Sequence, residues 1–314
     1  MNVNKIAAIV ALELFWSAFG LSTALAANPV KNADELVAQH LDSIASAQVR
    51  AGLKSRVVQG PVEYKILVGG AGTLSGKAVL VSEGNKFQFM MKLPNNDYQG
   101  EKFVFNGEKD SVAFSTSRQT RSSFGNFMFV QDAAIREGLF GGTLSTAWAL
   151  LNLNERKAKL SLEGLKKVDG QELYEVRYRP HKNTDLEIRL YFDPQTYRHV
   201  ETICSYVVNQ SLTSAIPSSG PTSSGPGSMD SGPGSTGPSG SPETAQARQN
   251  LTRYRLQEKF SDFKTVDGVT LPTNYDIQFT QELQNGKTTL SDWDLKGFDV
   301  MNNVSVDARN FEVK

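Results

Sequence analysis

From Lys86 onward the chain sets large apolar residues on alternate positions. Phe87, Phe89, Met91 and Leu93 fall on one face of a run whose other face begins with Lys86 and Gln88. Phe103 and Phe105 repeat the pattern, as do Tyr174, Val176 and Tyr178, and then Leu186, Ile188, Leu190 and Phe192. A period of two sends successive side chains to opposite sides of a strand, so these runs predict half-buried β-strands. So many one-sided strands predict a large curved sheet. Its apolar face needs a cover, whether the protein's own helices, a second sheet or a greasy ligand.

Around those runs the patterning predicts the remaining elements. Strands are expected from about Arg56 to Leu67, Lys77 to Val81, Lys86 to Leu93, Lys102 to Asn106 and Ser111 to Thr116. Tight turns such as Glu83-Gly84-Asn85 and Asn106-Gly107 separate them, which suits antiparallel hairpins. Ahead of the strands, Asn32 stands three residues before Glu35, the spacing of a capping box. Leu36, Val37, His40, Leu41 and Ile44 then form a helical stripe with His40 at its edge.

Midway the rhythm changes. Val130 to Glu137 reads as a short helix, Gly141-Gly142 breaks it, and Thr143 to Leu151 reads as a second helix. Phe124, Phe127, Phe129, Leu139 and Phe140 make this the greasiest part of the chain after its N-terminal stretch. Strands then resume around two Val-Asp-Gly turns, Lys167 to Gly170 and Thr265 to Gly268, where glycine tolerates the positive φ a hairpin needs. Strands, then helices, then strands is an α+β order and not the alternation of a parallel doubly wound sheet. The expectation is an antiparallel unclosed β-barrel, a half-barrel with an N-terminal helix and two short lid helices across its concave side.

The chain ends and composition narrow the class. Lys5 precedes an apolar stretch from Ile6 to Leu25, and Ala24-Leu25-Ala26 fits a small-x-small cleavage site. Glu13 and Ser17 interrupt that stretch, so residues 1–26 are expected to be a cleaved signal peptide and not a membrane anchor. No cysteine stands directly after the cleavage site, so the exported chain is not expected to be a diacylated lipoprotein. The 33 basic and 33 acidic residues give zero formal charge, which removes any general attraction to nucleic acid or anionic membrane. Cys204 is the only cysteine, so stability rests on a hydrophobic core and not on an internal disulfide. It lies in a strand-like run and reads as a small buried apolar residue.

From Ser211 to Gln246 the chain is mostly Ser, Gly and Pro. So little apolar area cannot offset the entropy of ordering, and disorder is expected there. Asn250 to Lys314 offers only about four strands and no helix, too few for an independent core. The segment therefore reads as an insertion between neighbouring strands of one domain over residues 27–314. Loop closure costs grow only logarithmically with length, so such an insertion is tolerated.

No motif selects an enzyme. Gly70 to Lys77 departs from a phosphate loop at Ala71 and at Ala78, which stands where a magnesium-holding hydroxyl belongs, and reads as a glycine-rich turn. His40, His181 and His199 lack zinc-ligand spacing. His199 and Glu201, two apart on a strand, can share a face as a surface pair; Asp292 and Asp294 around Trp293 read as the wet side of another. Carboxylate pairs for glycoside hydrolysis are defined in space, and no sequence feature selects one. A non-enzymatic protein without a cofactor or metal is expected.

Several longer stretches carry a family likeness. They are Glu137-Gly138-Leu139-Phe140-Gly141-Gly142 followed by Trp148, Gly164 to Gly170, Leu190 to Val200, and Phe260 to Pro272. Together they resemble periplasmic proteins of the lipoprotein-sorting type, the LolA/LolB-like family, over most of the chain apart from the Ser/Gly/Pro segment. The resemblance implies a periplasmic protein built as an unclosed antiparallel barrel capped by helices, with a cavity that accepts acyl chains. It also implies an arginine at that cavity, for which Arg50 and Arg56 both lie in the expected early region.

On that reading the partners are lipid or acylated lipoprotein cargo, envelope proteins and, transiently, the membrane. Phe89, Met91, Phe103 and Phe105 are candidates for the cavity wall, and Leu139, Phe140, Leu144 and Trp148 for a lid hinged at Gly138, Gly141 and Gly142. Each buried methylene contributes roughly 0.8 kcal/mol, so such a receptor needs no polar anchor. Two alternatives stand beside it. Helices and sheet can pack into a closed core, because apolar faces usually mean core. The same fold can also serve as a non-enzymatic sensing or scaffolding module in the envelope, with the Ser/Gly/Pro insertion as tether or partner site.

Overall fold

A computed structural model of the protein describes residues 30–114, 121–209 and 251–313. The expected signal peptide and the Ser/Gly/Pro insertion lie outside the described residues. Helix α1 (Ala33–Ile44) starts as a capping box: Asn32 Oδ1 accepts the Glu35 N–H, and Glu35 Oε2 accepts the Lys31 N–H. It buries Leu36, Val37, His40 and Ile44, and a short helix α2 (Ala47–Gly52) follows it. No described helix is long and apolar enough to cross a membrane.

The first meander comprises β1 (Ser55–Val68), β2 (Gly72–Glu83), β3 (Lys86–Lys92), β4 (Gly100–Phe105) and β5 (Asp110–Phe114). A second comprises β6 (Lys159–Val168), β7 (Gln171–Arg179), β8 (Glu187–Phe192), β9 (His199–Asn209) and β10 (Leu251–Ser261). A small separate hairpin, β11 (Lys264–Val266) and β12 (Val269–Leu271), precedes β13 (Asn274–Glu282), β14 (Thr288–Lys296) and β15 (Asp299–Asn302). Pairing of β14 with β1 joins the two halves into one 13-stranded sheet, in the order β5-β4-β3-β2-β1-β14-β13-β10-β9-β8-β7-β6, with β15 also on β1. The sheet is antiparallel throughout, and its end strands β5 and β6 do not pair, so the barrel is unclosed. Strands β9 and β10, which flank residues 210–250, are direct neighbours with Asn209 opposite Leu251.

Local chemistry sets the hairpins. Asp169-Gly170 and Asp267-Gly268 each hold both residues at positive φ, the two-residue turn whose twist matches the flanking strands. Alternation then fills the concave face with buried Phe87, Phe89, Met91, Phe103, Val176, Tyr178, Ile188, Leu190 and Phe192. Cys204 is buried there too, and burial pushes its thiol pKa well up. His199 and Glu201 do not share a face. The register shift at Tyr191 and Phe192 lets β9 bulge, so that His199 turns inward against Trp148 and Phe260 while Glu201 turns outward to Gln257.

The helical segment differs from its expectation. Helix α3 (Ser123–Val130) was hidden by apolar residues on nearly every side and by Gly125 inside it; Ser122 caps it by accepting the Gly125 N–H. The stretch expected as a helix over Val130 to Glu137 shortens to α4 (Ala133–Arg136). Thr143 to Leu151 is not one helix but 3-10 turns at Gly142–Leu144 and Ala149–Asn152, followed by α5 (Leu153–Arg156). Side chains from elsewhere in the protein take its backbone groups, and such bonds compete with a helical ladder.

Candidate functional site

The apolar layer comes first. Phe140 packs edge-on to Phe89 and to Phe103, each 5.4 Å away between ring centres. Phe124 of α3 extends the cluster to Phe103, Phe279 and Trp293. Met91, Phe105, Leu139 and Leu144 belong to the same buried core. Trp148 lies apart from the phenylalanines, between His40 and His199. All eight candidate wall and lid residues are buried. Beneath Leu144, beside Phe89, Leu80 and Tyr275, a void of about 10 Å³ remains. That is room for about one water, so Phe140 and Leu144 themselves fill the space against the concave wall.

Around this layer runs a set of polar fastenings. Each joins the segment 137–148 to a different element of the scaffold. Glu258 on β10 accepts the Gly141 N–H at 2.8 Å and also the Tyr275 hydroxyl. Arg56 on β1 donates from Nη1 to the Thr143 carbonyl at 2.6 Å and from Nε to Asn302. Ser82 on β2 accepts the Thr146 N–H, and His40 on α1 accepts the Trp148 Nε1–H. Tyr178 on β7 donates to Glu137 at 2.6 Å. From α5, Arg156 donates to the carbonyls of Arg136 and Ala147 and so ties the two ends of the segment together.

The electrostatics follow from burial. Glu258 is 1% exposed, and loss of water raises its pKa to about 7 against the opposing hydrogen bonds from Tyr275 and Gly141. Arg56 is 2% exposed with no carboxylate in ion-pair reach among the described residues, and burial lowers its pKa to about 10. Burial lowers His40 to about 4 and His199 well below its ordinary value. Arg50, the other early arginine, ties down the end of α1 instead, donating to the carbonyls of Leu41 and Ala45 and pairing with Asp42.

Gly138, Gly141 and Gly142 all have positive φ. At Gly138 a Cβ would sit 1.9 Å from the Ala147 carbonyl oxygen, so this glycine also permits a close chain crossing. The segment thus combines buried apolar side chains against the concave sheet, three glycines at positive φ, and discrete hydrogen bonds to the scaffold. Among the described residues no group of His, Cys, Asp or Glu is arranged to hold a metal.

The sequence singles out Leu139, Phe140, Leu144 and Trp148, all of them buried, but not Ser82, Glu258 and Tyr178, which hydrogen-bond to the segment that carries them. Each sits on a strand whose local pattern reads only as inward-facing. A charged or polar residue at an inward position, as at Arg56 and Glu258, was the available signal.

No protein-family model matches the sequence, and no curated protein matches it. Among solved structures the chain is similar to a LolA-superfamily protein from Nitrosomonas europaea, with 13% identity, a TM-score of 0.43, and 90% of this chain and 99% of that chain covered. It is also similar to a DUF1329 family protein from Desulfovibrio piger, with 13% identity, a TM-score of 0.42, and coverage of 89% and 96%. MucB of Pseudomonas aeruginosa, in its complex with MucA, shows 12% identity and a TM-score of 0.22 over 86% of this chain and 94% of that chain.

Proposed function

We propose that this is an exported, non-enzymatic periplasmic binding protein that shields an acyl chain of a lipid or lipoprotein between its concave sheet and its lid. Carriage of lipoproteins toward the outer membrane is the task this would serve. The observation that supports it is the lid itself, an apolar plug joined to the scaffold by a few discrete hydrogen bonds. In the closed state Phe140 and Leu144 occupy the acyl site, and cargo takes their places against Phe89 and Phe103.

Magnitudes allow the exchange. Ties from Glu258, Arg56, Ser82 and His40 contribute about 1 kcal/mol each, more where charged. An acyl chain of about twelve methylenes gains roughly 10 kcal/mol on burial. Opening also re-exposes Phe140 and Leu144 at about 1.5–3 kcal/mol each, so the cargo term is comparable with the ties and plug together and the exchange is close to balanced. To test this, the purified protein is extracted with organic solvent and titrated with a fluorescent fatty acid. Co-purified lipid or saturable probe binding is expected; the absence of both overturns the reading.

A second reading is favoured by the small residual void. If the lid never opens, the protein is a sensing or scaffolding module of the envelope, and its outer surface binds partners. Deleting Ser211 to Gln246 separates the two. Partner capture lost on deletion, in a protein that takes up no acyl probe with or without the segment, supports the module.

A further inference from the structure

Two end strands of the sheet are protected from added strands. Helix α3 packs on β5. Strand β6 carries Lys159, Lys166 and Lys167 and a bulge between Leu162 and Gly164. Lysines and bulges are the usual means of keeping an edge from pairing. A third edge has neither.

Strand β15 continues β14 past a kink at Gly297, which has positive φ, and both pair with β1. On the other side, β14 is hydrogen-bonded to β13 as far as Lys296 opposite Asn274. Before Asn274 the chain turns away through Pro272 into the β11–β12 hairpin. The ladder therefore splits, and among the described residues β15 has no neighbour on its outer side.

The register identifies which groups are open. Asn303 donates its N–H to the Ser55 carbonyl, and Val57 lies opposite Met301. Bonded pairs alternate along an antiparallel ladder, so Met301 and Asp299 turn their backbone groups toward β1. Val300 and Asn302 turn theirs outward. What they face is a groove of about 1020 Å³ between β15 and the β11–β12 hairpin. Phe263, Val266, Leu271, Pro272, Val300 and Met301 give it apolar walls. Val266, at 52% exposure, and Met301, at 37%, are among the large hydrophobic residues the protein leaves in water.

The geometry points to this slot as a docking site for an extended peptide segment of a partner protein, added as a strand along β15. The choice of a peptide follows from continuity with the existing β13–β14 ladder. A strand continues that ladder, meets the N–H and C=O of Val300 and Asn302, and lays alternate apolar side chains against Phe263, Val266 and Met301. An acyl chain would cover the same walls but leave those backbone groups without partners, which is costly. The inference does not rest on lid opening: neither β15 nor the hairpin supplies a residue of the segment 137–148, and β15 meets it only through the Asn302 side chain on Arg56.

The test selects displayed random peptides of about eight residues, the length of a typical strand, on the full chain. The expected binders alternate apolar and polar residues. On binding, amide exchange slows about tenfold or more at Val300 and Asn302 and stays unchanged at Met301, whose N–H is already bonded to β1. Val266→Arg and Met301→Arg, both on exposed side chains, weaken binding about tenfold or more without shifting the melting temperature. The proposal is overturned if no such peptide is selected, if bound peptides leave both amides unprotected, or if neither substitution matters. Self-association abolished by Met301→Arg would assign the edge to a second copy of this chain and would equally overturn it.

Discussion

Trp148 Nε1 donates to His40 Nε2 across 3.0 Å, and His40 Nδ1 lies 3.0 Å from the Tyr197 carbonyl. Indole nitrogen only donates and a carbonyl only accepts, so the imidazole between them is neutral and carries its proton on Nδ1. One ring thereby ties the lid to α1 and to the β8–β9 turn. Unfolded histidine takes its second proton near pH 6.5, and His40 in the fold takes it at about 4. Its contribution is complete above pH 6.5 and is lost as pH falls toward 4, by roughly 3 kcal/mol. Nitrogen NMR of the imidazole should show the Nδ1–H tautomer unchanged from pH 8 down to about 5; a protonated ring at pH 6 would contradict the assignment.

Glu258 works in the opposite direction. Its carboxyl ionises near 4.5 when unfolded and at about 7 in the fold. The fold is favoured fully below pH 4.5 and loses stability as pH rises toward 7. Glu258→Gln keeps an acceptor for the Gly141 N–H and removes the charge. Urea unfolding should find the variant about 3 kcal/mol more stable than the parent at pH 7.5 and nearly equal at pH 4.5.

Arg56→Met removes a buried charge, which limits the loss of global stability to about 1 kcal/mol. It also frees the Thr143 carbonyl from its tie. Amide exchange over residues 142–146 should accelerate about tenfold while β10 amides stay as slow as in the parent. If both regions accelerate together, Arg56 supports the whole fold and not the lid.

At Gly138, φ is +66°, and an added Cβ would meet the Ala147 carbonyl. Gly138→Ala should cost at least about 2 kcal/mol in equilibrium unfolding, because strain and a backbone clash act together. Gly164→Ala, with positive φ but nothing within 4 Å of its Cβ, isolates the strain component and should cost about 1 kcal/mol.

Alternation made the meander legible, and the two Asp-Gly turns appear where the sequence places them. Those features are local, since a strand writes its buried face every second residue and a tight turn needs particular residues in place. Asn32 and Glu35 were legible for the same reason. What stayed hidden depends on partners far along the chain. Nothing near Ser82 announces Thr146, and nothing near Glu258 announces Gly141. Their bonds break the stretch after Gly142 into short turns although its pattern reads as a helix. Arg50 and Arg56 could not be told apart, because one faces the end of the helix just before it and the other a segment nearly ninety residues away.

Strands β9 and β10 stay in register over nine residue pairs although 41 residues separate Asn209 from Leu251. Covalent continuity across that interval is therefore not what holds the C-terminal strands in the sheet. Made as two separate polypeptides, residues 1–209 and 251–314, the protein should reassemble by strand complementation. A reporter split at this point would then register any event that keeps the halves apart.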